Sequence, residues 1–340
     1  MKKNIYLLIA VAFGTLASCV TPFDPGYDET PVIYVEAFPG ASADYIALKI
    51  LPAYSRSNSA AVIPFYPEII FEVNGNSVPT ECVDSHEGLY MVHHSSQPGD
   101  FMTISVRSEG FRSAYAETEI PSVNLSKRID YRKVRSGVDS YDNVLYITLS
   151  DIDDLYAYGL QLYNETIYRY PSEPEINVYR YAGNLYPLAL DMLELAPVSL
   201  EAVDIELFGD YLWAWEGGQL KNAENTIAIQ PQTYGYADLD SYSSFFVQEG
   251  RTMRYDEYGN ELGIVDYVSR NKMIFYIMSQ EFYNYKVAAQ YRTDYDGFLS
   301  IVAPANYCYS NIDNGYGVFA GICIVESEWI TKEFIENNRQ

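Results

Sequence analysis

Three histidines, four cysteines and several close aspartate pairs are the residues of this sequence whose chemistry could go beyond packing. His86, His93 and His94 fall within nine residues, a density that invites a metal site. In a strand, adjacent residues point to opposite faces, so His93 and His94 cannot share one ion without a bulge. Cys82 lies nearby, but no Cys-x-x-Cys or His-x-x-x-His pair completes a zinc set, and exposed imidazoles on a sheet edge are the simpler reading. Asp151, Asp153 and Asp154, then Asp238 and Asp240, then Asp294 and Asp296, could each offer calcium a pair of oxygens at about 2.4 Å, yet none completes an EF-hand loop. Serine nucleophile chemistry lacks its Gly-x-Ser-x-Gly elbow. A glycosidase needs two carboxylates opposed across a cleft, which a linear chain does not display. No cofactor is called for.

The aromatic residues are the other candidates. Tyr accounts for 34 of 340 residues, with 15 Phe and 3 Trp. Tyr156 and Tyr158 alternate, as do Tyr211, Trp213 and Trp215, which places each set on one face of a strand. Exposed, such faces grip sugar rings or peptide partners; buried, they are core, and core is the stronger expectation for Trp213 and Trp215. Part of the Tyr excess is expected at a partner surface, because so many phenols are hard to bury with their hydroxyls satisfied. Charge narrows the partners: 46 acidic against 22 basic residues argues against nucleic acid and against anionic lipid as electrostatic partners.

The amino terminus supplies an address. Lys2 and Lys3 precede an apolar run from Ile5 to Phe13, too short to span a bilayer, and Leu16-Ala17-Ser18-Cys19 follows. That order resembles a bacterial lipobox, in which Cys19 would be acylated and become the first residue of the mature chain. Losing residues 1–18 leaves 20 basic residues against 46 acidic, a formal charge of −26. Residues 19–30, with Pro22, Pro25, Gly26, Asp24, Asp28 and Glu29, read as an extended acidic tether. The expected location is the outer membrane, lipid-anchored and open to the cell surface.

The elements that would position these residues are mainly strands. Short β-rich runs at 32–35, 45–50, 69–73, 89–93, 102–106 and 114–120, separated by Gly, Pro and Asn turns, predict a small β-sandwich over residues 31–122. A larger β-rich domain over 130–332 is expected from runs at 143–149, 155–163, 176–181, 203–208, 227–229, 264–268 and 272–278. Ser279 as N-cap, Glu281 in the first turn, and Phe282, Tyr285 and Ala289 at helical spacing predict a helix through about Tyr291, and a shorter one fits Leu188–Leu195. The fold class is therefore all-β with minor helix. Near the end, Asn311, Asn314, Gly315, Gly317 and Gly321 tolerate positive φ, and Val318-Phe319 opens an apolar strand through Val325, which reads as a structural turn. Its Gly spacing does not fit the dinucleotide fingerprint. If the strands on either side paired as a hairpin, Cys308 and Cys323 could approach bridging distance.

Taken in order, several strings resemble a known family, the Bacteroidota lipoproteins grouped under domain of unknown function 4249. The resemblance runs from the lipobox and Val32-Ile33-Tyr34-Val35-Glu36 through Gly88-Leu89-Tyr90, Pro98-Gly99-Asp100 and Ser279-Gln280-Glu281-Phe282-Tyr283-Asn284-Tyr285. It ends with Pro304-Ala305-Asn306 and the most specific string, Ser310-Asn311-Ile312-Asp313-Asn314-Gly315-Tyr316-Gly317-Val318-Phe319-Ala320-Gly321. The resemblance implies an immunoglobulin-like amino-terminal sandwich, a larger β-rich carboxy-terminal domain, and a gene neighbouring a TonB-dependent outer-membrane transporter. It transfers no catalytic residues. Two functions follow as expectations: a non-enzymatic envelope lipoprotein that binds a ligand or serves such a transporter, or a lipid-anchored hydrolase of glycans or peptides using paired carboxylates.

Overall fold

The computed structural model describes residues 30–54, 63–122, 125–135, 141–169, 176–183, 185–187, 203–207, 210–219, 225–231, 249–255, 258–294 and 309–337. Cys19, Cys308, the tether, Asp238, Asp240, Asp296 and the short helix expected at 188–195 lie outside them.

Alternation builds the first half. Strands β1 (Val32–Ala37), β2 (Ile46–Ala53), β3 (Glu68–Val73), β4 (Asn76–Val78), β5 (Thr80–Asp84), β6 (Leu89–Val92), β7 (Phe101–Arg107) and β8 (Ala114–Glu119) follow one another with short turns. In β1 the residues Ile33, Val35 and Ala37 are buried, and in β8 Ala114, Ala116 and Thr118 are, each at a spacing of two. Asn74 (φ 52°) and Gly75 (φ 77°) close the β3–β4 hairpin with the pair of left-handed residues that matches strand twist. One sheet orders β5-β6-β2-β1 and the other β4-β3-β7-β8. Their inner faces enclose a core that includes Ile33, Leu48, Ile50, Phe71, Met102 and Ile104.

The second half is built on two long strands. After β9 (Ser126–Arg135) and β10 (Tyr141–Ser150), β11 (Ala157–Arg169) pairs antiparallel with a strand far along the chain, from Ala157↔Met278 to Arg169↔Asp266. Between them come β12 (Ile176–Gly183), β13 (Leu185–Pro187), β14 (Val203–Leu207), β15 (Asp210–Glu216), β16 (Asn225–Pro231) and β17 (Glu249–Tyr255), before that partner, β18 (Glu261–Met278). The sheet around β11 and β18 packs on a smaller one ordered β13-β16-β10-β9 over Leu125, Ile147, Leu149, Trp215, Phe275 and Ile277. Leu125 already belongs to this second core.

The break expected between 268 and 272 does not occur. β18 runs through Ser269-Arg270-Asn271 because Arg270 pairs with buried Glu165 and the Asn271 backbone bonds that of Ile330. Polar residues sit inside a long strand when each has its partner. Likewise the strand expected from Leu155 begins at Ala157, because Asp154 and Leu155 lie in a turn.

Helix α1 (Gln280–Asp294) joins the two halves. Ser279 Oγ accepts from the Phe282 amide (3.3 Å), the bond of an N-cap. Phe282 and Tyr283 pack with Leu212, Ala214, Tyr276 and Met278 of the large sheet. From the first sheet, Phe38 meets Phe282 edge-on (5.2 Å between centroids), and Tyr285 OH donates to Glu36 Oε2 (3.0 Å). The expected strand 318–325 proves to be two strands in different sheets. β19 (Tyr316–Phe319) pairs in parallel with β1, completing the first sheet as β5-β6-β2-β1-β19, whereas β20 (Ile322–Glu326) pairs antiparallel with β18. A final short helix, α2 (Lys332–Asn337), follows. The fold is all-β with minor helix, and no described helix is long and apolar enough to cross a membrane.

Candidate functional site

The Asn- and Gly-rich string at 311–321 is a junction. Asn311 imitates a neighbouring strand: its Nδ2 donates to Phe319 O (2.8 Å) and its Oδ1 accepts from Phe319 N (3.0 Å). Asn314 (φ 55°) and Gly317 (φ 111°) take left-handed conformations. A Cβ on Gly317 would lie 1.9 Å from Val35 O, and one on Gly321 would lie 2.2 Å from Glu119 O, so two glycines are required by close backbone approach. Gly315 is similarly tight, with Ile33 O at 2.6 Å. Gly321 N donates to Thr118 Oγ1 (2.9 Å) while its carbonyl accepts from Ser279 N (3.0 Å). Asp313 and Tyr115 exchange backbone bonds. The string thus bonds β1, β8 and the start of α1 before it runs into β20, its amides divided between those neighbours and partners within the string itself.

The aromatic strands are interior. Tyr158, Trp213 and Trp215 are 1%, 7% and 0% exposed, Tyr158 stacks on Trp215 at 6.4 Å, and Trp213 tilts against Trp215 at 5.5 Å. Tyr158 OH accepts from Asp153 N (2.8 Å) and donates to Asp153 O (3.2 Å), and burial pushes its pKa up to about 12. These side chains cannot form the contact face considered for them, because they fill the space between two sheets. Tyr156 is half-buried, and burial raises its phenol as well. The side chain of Tyr211 lies outside the described residues.

The histidines do not converge. His93 Nε2 faces Glu81 (3.2 Å), His94 Nε2 faces Asp100 (3.0 Å), and His86 is exposed with its backbone amide bonded to Asp84 Oδ1 (2.8 Å). For Asp100, burial raises the pKa, but bonds from His94, the Gln97 amide and Asn74 outweigh it, and the net shift is downward. Asp151 is left-handed (φ 61°), and Asp153 Oδ1 accepts from the Leu155 amide (2.9 Å), so that acidic string shapes a turn. Among the described residues no group of three or more His, Cys, Asp or Glu is placed to hold a metal ion. Cys82 is an exposed free thiol; Cys323 is a buried one on β20, its pKa raised by burial. Cys308 lies outside the described residues, and with it the expected approach of Cys308 and Cys323.

Two features escape reading in one dimension. On the large sheet, Glu165 holds Arg270 (Nε 2.8 Å), whose guanidinium lies 4.0 Å over Trp329, and Lys272 bonds Glu326 (2.6 Å) beside the same ring. The sequence separation of 105 residues between Glu165 and Arg270 hides the pair. The second feature is the outer face of the β4-β3-β7-β8 sheet. Ile70, Ser105 and Tyr115 lie side by side across β3, β7 and β8, and Glu72, Thr103 and Glu117 form the next row. Glu68 opposes Arg107 at one end and Phe101 opposes Glu119 at the other. Ile70, Phe101 and Tyr115 are 40%, 41% and 40% exposed. The alternation Glu68-Ile-Ile-Phe-Glu-Val73 carries half of this signal, with Ile70 on the polar side.

Comparison with known proteins gives a broad family match and faint structural likeness. No curated protein matches. Among solved structures, a chain described as "Biofilm associated protein - BSP domain" aligns at 8% identity and a TM-score of 0.22, covering 87% of this chain. This chain spans 59% of that one, and at such a score the likeness bears on neither fold nor function. Residues 20–327, well over half the chain, match the family described as Domain of unknown function (DUF4249). They include the junction at 311–321 that ties the two sandwiches together, and this chain belongs to that family.

Proposed function

We propose that this chain is a lipid-anchored protein of a Bacteroidota outer membrane that acts by binding, as a ligand-binding or accessory partner of a TonB-dependent transporter. The anchor reading rests on Leu16-Ala17-Ser18-Cys19 and the acidic tether behind it, and the transporter on the company that the family resemblance implies. The observation that carries the binding role is the set of large aromatic side chains left exposed on the amino-terminal sandwich, Tyr45, Tyr66, Phe101, Tyr115 and Tyr316 among them. Tyr and Phe offer wide contact area for little side-chain entropy lost. Two proteins held in one bilayer also meet at raised effective concentration, so a modest interface can be occupied.

The test has two parts. Cys19→Ala should abolish incorporation of labelled fatty acid and release the protein from membranes; unchanged labelling removes the anchor. Extraction in mild detergent followed by pull-down should recover a TonB-dependent transporter. Recovery of the protein alone, with hydrolysis of a glycan or peptide that one Asp or Glu substitution abolishes, overturns the binding role.

A further inference from the structure

We infer that the outer face of the β4-β3-β7-β8 sheet docks a Lys/Arg-bearing segment of another protein. This rests on the binding role proposed above and locates it. The first sheet of the same sandwich has α1 against its outer side, through Tyr285 to Glu36 and Phe282 to Phe38. The second sheet leaves Ile70, Phe101 and Tyr115 partly open to solvent instead, on the outward side of three neighbouring strands. An antiparallel sheet commonly turns polar residues to its solvated side, and large apolar side chains gathered on that side are a feature of contact surfaces.

Charge identifies the occupant. The apolar positions are interleaved with Glu68, Glu72, Glu117 and Glu119, and Asp313 stands at the β8 edge beside Tyr115. Arg107 is the one basic side chain in these rows. Glu72 accepts from Thr103 Oγ1 and Glu117 from Tyr115 OH, both neutral donors. A second copy of this face would set glutamates against glutamates, and the tether at 20–30 has three acids and no base, so neither covers it. Anionic lipid is repelled for the same reason. Among the described residues no three of His, Cys, Asp and Glu are placed to hold one metal ion, and Glu72 and Glu117 stand on strands separated by β7, about 9.5 Å apart at the usual strand spacing. Carboxylates spread at that interval around apolar side chains suit a partner whose own cations are spread likewise: an extended protein segment with Lys or Arg alternating with apolar residues.

A fluorescent peptide Lys-Val-Lys-Tyr-Lys-Val-Lys, with Glu-Val-Glu-Tyr-Glu-Val-Glu as its control, tests this by anisotropy on the purified protein. The basic peptide should bind, and combined Glu68→Gln, Glu72→Gln, Glu117→Gln and Glu119→Gln should weaken it about tenfold or more. The same charge change at Asp44→Asn, Glu87→Gln, Glu261→Gln and Glu328→Gln, all exposed elsewhere, should leave affinity within about threefold. Phe101→Ala with Tyr115→Ala should weaken binding without changing charge. Equal losses in the two four-site variants, or none in the alanine pair, overturn the inference. A transporter recovered equally by wild type and the first four-site variant also removes this face while leaving the partnership intact.

Discussion

Gly317 and Gly259 both hold positive φ, at 111° and 84°, but only Gly317 is pressed against backbone, with Val35 O where its Cβ would be, while Gly259 has open space. Gly259→Ala should therefore cost about 1 kcal/mol in urea denaturation and Gly317→Ala about 3 kcal/mol or more, because the carbonyl cannot move aside without breaking the β1–β19 ladder. Equal costs would mean that conformation alone, and not contact, demands the glycine. Asp100 gives a pH-dependent counterpart. Its folded pKa is lowered, so its stabilisation is complete above the ordinary aspartate value of about 3.9 and is lost as pH falls through the folded value. Asp100→Asn should lose about 1–3 kcal/mol at neutral pH, and the gap to wild type should close in acid; a gap independent of pH refutes the assignment. At this scale the sequence was partly readable. The positive-φ tolerance of Asn314 and Gly317 follows from residue type, but the backbone that crowds Gly317 lies on β1, far earlier in the chain, and no local pattern announces it. Asn311 is similar: its type suggests a turn, while its double bond to Phe319 is known only once β19 has a place.

Among the elements, α1 combines a legible start with an illegible purpose. Ser279 and the spacing of Phe282 and Tyr285 announce the helix, yet which surfaces it would meet depends on sheets assembled from both halves. Ser279→Ala should cost about 1 kcal/mol as a lost cap. Phe282→Ala should cost about 3–5 kcal/mol, since the fully buried ring contacts both Phe38 and the large sheet. If the helix fixes the two halves relative to one another, Phe38→Ala and Phe282→Ala will be non-additive in a double-mutant cycle; simple additivity would show that the rings act separately. The strands show why some patterns could be read and others not. β1, β7 and β8 bury one face, so they alternate. β11 is buried on both faces from Ala157 to Gln161, which erases alternation, and β18 hides its continuity behind Arg270 and Asn271, polar residues whose partners come from β11 and from the Ile330 segment.

The whole molecule is two sandwiches that share a chain end. Because β19 closes the first sheet, residues 31–122 by themselves would expose the outer edge of β1 and lose Phe319 from their core, where it meets Phe71 at 5.9 Å. That fragment should lack a cooperative thermal transition, and a peptide of residues 309–321 added in excess should restore one, followed by near-ultraviolet circular dichroism. A fragment that melts cooperatively without the peptide would show the closing strand to be dispensable. Composition could announce two β-rich bodies, but not that the last strand of one comes from beyond the other.

The parallel pairing of β1 with β19 has a mechanical consequence. Tension that enters at the amino end of β1 and leaves through β20 into the large sheet pulls the start of one strand against the finish of its parallel neighbour. The bonds from Tyr34↔Tyr316 to Ala37↔Phe319 then bear load together in shear, instead of opening one by one as in a peeled hairpin. A chain pulled along that path would thus yield in one abrupt step. Stretched by optical tweezers between residue 30 and residue 337, it should rupture at a single force peak, and Gly317→Ala should lower that peak; gradual extension with no peak would show that the strands peel.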